Sequence, residues 1–187
     1  IGKRFLFPGI GYGGSCFPKD VKALQKAGKD QSFDFKILNS VIEVNEKQKT
    51  ILLPKIEKHF NNELSDVKLA IWGLAFKPET DDMRDAPSLA ILPKLIENGC
   101  QINAHDPQGV QEAKSLLPAD VNYYDDIYTA IEGVDAVVLM TEWNMYRNLD
   151  MNLIKEKINQ PVFVDLRNVY EPDTMKSLGF DYHCIGR

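Results

Sequence analysis

Two hydrophobic periods divide the chain. Between Phe33 and Phe60 apolar residues recur at helical spacing, and Ile37, Val41, Val44, Leu52, Ile56 and Phe60 fall near one face. Pro54 sits inside that pattern. It should kink or break the helix, because it lacks an amide donor and its ring crowds the preceding turn. FPKDVKALQKAGKD (17–30) reads as an earlier helix. Pro18 fits a first helical position, Val21, Leu24 and Ala27 form its stripe, and Gly28 reads as its C-terminal stop. Residues 1–15 show no period and read as a loop.

Beyond NNELSD (61–66) the period shortens. VKLAIWGLA, CQINAHDP, VNYYDD, DAVVLMTE, PVFVDLRN and FDYHCIG are short runs rich in β-branched or apolar residues. Helical stretches alternate with them at 87–98, 109–116, 127–132 and 150–158. Pro93, inside the first of these, predicts a kink. Alternation of this kind, with nearly continuous apolar strands, predicts an α/β fold with a parallel sheet covered on both faces. The expected division is 1–62, a loop and helical region, and 63–187, a Rossmann-like domain.

Composition narrows the choices. With 44% apolar and 26% charged residues among 187, the chain reads as an ordinary globular protein. A net charge of -5 supplies no basic field for a nucleic acid. No apolar run reaches the roughly 18 residues of a membrane span, and no signal peptide is recognisable. Three cysteines without paired spacing argue against a disulfide framework and for a cytoplasmic setting. Three scattered histidines show no metal-ligand spacing, so no metal site is expected. The chain opens IGKRF, without an initiator Met, and reads as the later part of a longer protein.

Three stretches carry candidate chemistry. GIGYGG (9–14) follows KRFLFP, which is too short for a buried strand. It therefore fails the pattern of a dinucleotide fingerprint, although its glycines would let backbone amides approach an anion or a sugar closely. Cys16 precedes the helix whose first turn holds Lys19 and Asp20. A helix N-terminus and a cation both favour thiolate, so a nucleophilic cysteine is one reading and a buried inert one the other. LAIWGLAFKPETDDMRDAPS (69–88) is a strand, a turn and a helix start. It has one glycine at the turn, Gly73, and places Lys77 and Arg84 near a helix N-terminus. That suits a phosphate held by side chains, or simply a solvated charged loop. Arg167 ends another predicted strand and would face the same crevice. Asp106, ending CQINAHD, is a weaker candidate for a ribose hydroxyl.

FLFPGIGYGGSCFPKD and GLAFKPETDDMRDAPS, with TEWNMY and VFVDLRNVY after them, resemble the UDP-glucose/GDP-mannose dehydrogenase family over essentially the whole chain. The resemblance implies an NAD-dependent oxidation of a nucleotide-sugar C6 alcohol to a carboxylate, with Cys16 as the catalytic thiol and Asp20 assisting the water. It implies that Phe7, Pro8, Gly9, Ile10, Gly11, Tyr12 and Gly13 line the sugar and diphosphate. Phe76, Lys77 and Arg167 would hold the UDP part, and Lys19 and Arg84 would touch NAD. It also implies a homodimer through the helical region, and an NAD-binding domain upstream of Ile1 without which the chain would not turn over. The wording around Cys16 favours UDP-glucose over UDP-N-acetylhexosamines or GDP-mannose. A non-catalytic nucleotide-binding or assembly module is the reading from a different class.

Overall fold

The computed structural model describes residues 2–186. Six parallel strands form one sheet: β1 (Lys68–Trp72), β2 (Gln101–His105), β3 (Val121–Tyr123), β4 (Ala136–Leu139), β5 (Val162–Asp165) and β6 (Asp181–Cys184). Their order is β3-β2-β1-β4-β5-β6. All six fall within the predicted runs, and every observed pairing is parallel. The strand order reverses between β1 and β4, which opens a crevice at the carboxyl ends of those strands.

Alternation along the strands feeds two cores, since successive side chains point to opposite faces. Leu69 and Ile71 of β1 join Leu52, Ile56, Ile91, Leu92 and Leu95 on one face. Ala70 and Trp72 join Ile127, Tyr146, Ile154, Phe163 and Met175 on the other. The helices α4 (Pro87–Glu97), α5 (Val110–Leu116), α6 (Ile127–Ala130) and α7 (Met151–Lys157) match the four predicted stretches, and α8 (Pro172–Ser177) leads to β6. No break in α4 accompanies Pro93.

The helical region departs from expectation in three ways. First, α1 (Phe17–Asp30) runs through Gly28 instead of stopping there. A Cβ at Gly28 would lie 2.5 Å from the Phe35 ring, so the glycine serves close packing. Second, the 33–60 pattern is two helices, α2 (Lys36–Lys49) and α3 (Leu52–His59). Pro54 sits in the first turn of α3, where an amide has no intrahelical partner to lose. Third, the stripe is split. Leu52 and Ile56 are buried, whereas Ile37, Val41 and Val44 are 84%, 42% and 62% exposed. Those three line a cleft instead of packing on the sheet.

Candidate functional site

A cleft of about 1300 Å³ lies between the glycine loop, one face of α2 and the carboxyl ends of the strands. Phe76, Lys77, Glu142 and Arg167, from the segments after β1, β4 and β5, line it from the sheet side. Phe7, Pro8, Gly9, Gly11, Tyr12 and Gly13 line it from the loop. Of the residues expected to line the sugar nucleotide, all but Ile10 line this cleft, whereas Cys16, Lys19, Asp20 and Arg84 are not among its described lining residues. Ile10 is 2% exposed and belongs to the hydrophobic core, because it anchors the loop to the face packed by Leu52 and Ile56.

The loop's glycines are explained by what they touch. A Cβ on Gly9 would fall 2.2 Å from Arg167 Nη1. On Gly13 it would meet the Asp85 carbonyl oxygen at 2.4 Å, and on Gly14 the Phe76 ring at 2.7 Å. Gly11 and Gly14 also take φ of 91° and 86°, in the left-handed region that glycine adopts without penalty. The loop is tied on both sides. The Gly14 amide donates to the Arg84 carbonyl at 2.7 Å. Asn45 Oδ1 accepts from the Tyr12 amide at 2.7 Å, Asn45 Nδ2 donates to the Tyr12 carbonyl, and Gln48 Nε2 donates to the Gly9 carbonyl at 2.7 Å. Burial raises the Tyr12 phenol above its ordinary pKa, helped by the carboxylates of Glu46 and Asp85.

Cys16 stands at the N-cap of α1 and is exposed, as a reactive thiol requires. Its neighbours Gly13 and Phe17 line the cleft, and Phe17 meets Tyr12 edge to face at 4.6 Å. Its Sγ lies 3.6 Å from Ser15 Oγ. Lys19 Nζ is 3.6 Å from Asp20 Oδ1, both side chains being largely in solvent. Arg84 grips Asp82 through Nε and Nη2 at 2.8 and 2.9 Å. That hydrogen bond raises the Arg84 pKa, and a Cys16 thiolate contributes more weakly in the same direction.

Arg167 is paired. Its Nη2 donates to Glu142 Oε1 at 2.8 Å, while Nε lies 2.6 Å from Oε2 without hydrogen-bond alignment. The pair fixes the guanidinium at the cleft wall. Lys77 is exposed, with its ammonium 5.2 Å from the Phe76 ring centroid.

Asp106 does not present itself to a ribose. It is 4% exposed, and its two oxygens accept from the amides of Leu74, Ala75, Gln108 and Gly109 and from Trp143 Nε1. Ser88 and Thr141 donate to the carbonyls of Leu74 and Ala75, both at 2.6 Å. These contacts hold the segment after β1 that ends in Phe76 and Lys77. Gly73 is packed too closely on Thr141 for a Cβ, at 2.4 Å. With one glycine at the turn and Asp106 fully engaged, the sheet of this chain does not fit a dinucleotide.

Asn45, Gln48 and Glu142 escaped sequence reasoning. Asn45 and Gln48 had a signal, since each is a polar residue on the apolar face defined by Val41, Val44 and Leu52. Glu142 had none, because only the fold sets it against Arg167.

Known proteins match over both parts of the chain. The model of the UDP-glucose/GDP-mannose dehydrogenase family, UDP binding domain, matches residues 70–172, and that of the family's central domain matches residues 1–47. The UDP-glucose 6-dehydrogenase of Pseudomonas aeruginosa is 43% identical, over all of this chain and 42% of its own length. The UDP-glucose 6-dehydrogenase TuaD of Bacillus subtilis is 40% identical, over all of this chain and 40% of its own. A solved UDP-glucose dehydrogenase from the archaeon Pyrobaculum islandicum superposes with a TM-score of 0.83 at 30% identity, over 98% of this chain and 40% of that one. The chain therefore spans about two-fifths of the length of the curated relatives it matches. With one family model matching residues 70–172 and a second matching residues 1–47, the chain belongs to the UDP-glucose/GDP-mannose dehydrogenase family.

Proposed function

We propose that these residues form the sugar-nucleotide side of an enzyme that oxidises UDP-glucose to UDP-glucuronate, with NAD as hydride acceptor. The observation that carries this reading is the packing of one loop. The segment that ends in Cys16 lies on Arg167 and Phe76, which supports a ligand held in the cleft with its reactive end toward the thiol.

In this reading Lys77 and Arg167 hold the diphosphate and uridine part, Phe76 supplies an aromatic face, and Phe7–Gly13 surround the sugar. Ile10 contributes by anchoring the loop. The first oxidation converts the C6 alcohol to an aldehyde. The Cys16 thiolate adds to that carbonyl, and the oxygen takes up a proton to give a thiohemiacetal. Loss of a second hydride from carbon and of the hydroxyl proton to solvent leaves a thioester on sulfur. Water attacks the thioester carbonyl, the carbon–sulfur bond breaks, and carboxylate and thiol are released. Asp20, one helical turn from Cys16, is the base assigned to that water.

NAD, when bound, takes up one hydride in each oxidation. Its binding is assigned to regions other than this sheet. Lys19 and Arg84, both exposed beside Cys16, are the cations of this chain that face it. We divide the chain at residue 62 into a catalytic-loop and helical part and a UDP-binding part. Exposed Leu24 and Phe33 are assigned to contact with a second copy.

The full-length protein with UDP-glucose tests the reading. Two NADH per uronate, lost in Cys16→Ser, is the expected result. Turnover of GDP-mannose or a UDP-N-acetylhexosamine in place of UDP-glucose would overturn the substrate, and unchanged turnover in Cys16→Ser would overturn the covalent route.

A further inference from the structure

The spacing of the histidines conceals a cluster away from the cleft. His59 is the last residue of α3, and His183 lies in β6, the edge strand of the sheet. The fold sets them beside each other with ring centroids 5.5 Å apart. Asp181 stands between them. Its Oδ2 is 3.2 Å from His59 Nδ1, and its Oδ1 is 3.2 Å from His183 Nε2. One ligand atom from each of the three can be chosen so that all lie within 4.8 Å of one another. Asp181 and His183 are two apart in a strand, so their side chains share a face.

Three observations favour a cation over a self-contained polar cluster. His183 Nε2 is sealed from solvent and makes no aligned hydrogen bond, despite its nearness to Asp181. The Asp181 carboxylate reaches both rings, one oxygen 3.2 Å from each histidine nitrogen, so the three donors converge within the 4.8 Å that ligands around one ion can span. The carboxyl end of α3 at His59 directs carbonyl dipoles that favour positive charge.

We propose that His59, Asp181 and His183 bind a divalent transition ion of the zinc and cobalt class. Two imidazoles and one carboxylate suit such ions better than calcium or magnesium, which prefer oxygen donors. Three protein ligands leave at least one position for water. The ion would clip α3 to the edge of the sheet and stabilise the folded state by mass action. The site stands whether or not the proposed oxidation is right, because it shares no residue with the cleft.

The test uses untagged, chelator-treated protein titrated with Co²⁺ at pH 7.5, read by visible absorption. The expected result is a d–d band saturating at one equivalent, displaced by Zn²⁺, with a rise in the unfolding temperature on Zn²⁺ addition. His59→Ala and His183→Ala should each weaken binding beyond the roughly 10- to 100-fold that loss of an outer-shell partner costs. Asp181→Asn, at a largely exposed position, preserves the fold and should also weaken binding. No band, or a band and thermal shift unchanged in all three variants, would overturn the site.

Discussion

The Arg167 guanidinium rests on the bare backbone of Gly9, where a Cβ would come within 2.2 Å of Nη1. A methyl group there must displace a side chain that Glu142 holds in place. Gly9→Ala is therefore expected to leave the fold intact and to raise KM for the UDP-sugar by about tenfold, the equivalent of one charge-assisted hydrogen bond. Gly13→Ala is expected to be worse, because the obstacle at 2.4 Å is the Asp85 backbone carbonyl, which cannot rotate away. Steady-state kinetics of both variants, with unfolding curves alongside, check the order.

The three cysteines should separate by reactivity. Cys16 is exposed, while Cys100 and Cys184 are buried. An aromatic disulfide reagent under native conditions should release one equivalent of thiolate quickly, and three after denaturation. Mass spectrometry should place the fast label on Cys16. Fast labelling of Cys100 would contradict the packing that seals it on β2's approach to the core.

Burial pushes the Cys100 thiol from 9.0 up to about 11. The folded state then keeps its proton where the unfolded state has lost it. The stability that depends on this neutral thiol is whole below pH 9 and declines as pH rises from 9 to 11. The decline should amount to about 2–3 kcal/mol. Chemical denaturation at pH 8 and pH 11 should show a steeper loss in wild type than in Cys100→Ala.

Asp106 accepts five hydrogen bonds from the core of the switch-point crevice, four of them from backbone amides. Asp106→Ala leaves those donors buried and unpaired, and should destabilise the protein by about 3 kcal/mol or more. Asp106→Asn keeps one acceptor and should fall between. Urea unfolding midpoints measure both.

The sheet was readable because parallel strands buried on both faces leave continuous apolar runs, such as LAIW in β1 and AVVL in β4. The helical region was less so. Ile37 and Val44 carry the same period as Leu52 and Ile56, yet the former face an open cleft and the latter the core. Periodicity reports an apolar face but not what covers it. Gly28 read as a stop because glycine both ends helices and admits close neighbours, and only the Phe35 ring decides between these. Asp106 read as a ribose ligand because its place at the end of β2 is shared by binding and bracing carboxylates. Its partners on the segment after β1 settle the matter. The loop, Lys77 and Arg167 were legible as separate motifs, and their meeting around one cleft, with Cys16 next to the lining residue Phe17, was supplied by the fold.

Calorimetric titration with UDP, and with GDP as control, tests most directly whether this cleft is a uridine-nucleotide site. The protein should bind UDP at least about tenfold more tightly than GDP, and Lys77→Ala and Arg167→Ala should each weaken UDP binding by about 10- to 100-fold, as loss of a charged contact does. Equal binding of UDP and GDP, or UDP binding that neither substitution changes, would contradict the assignment of the cleft.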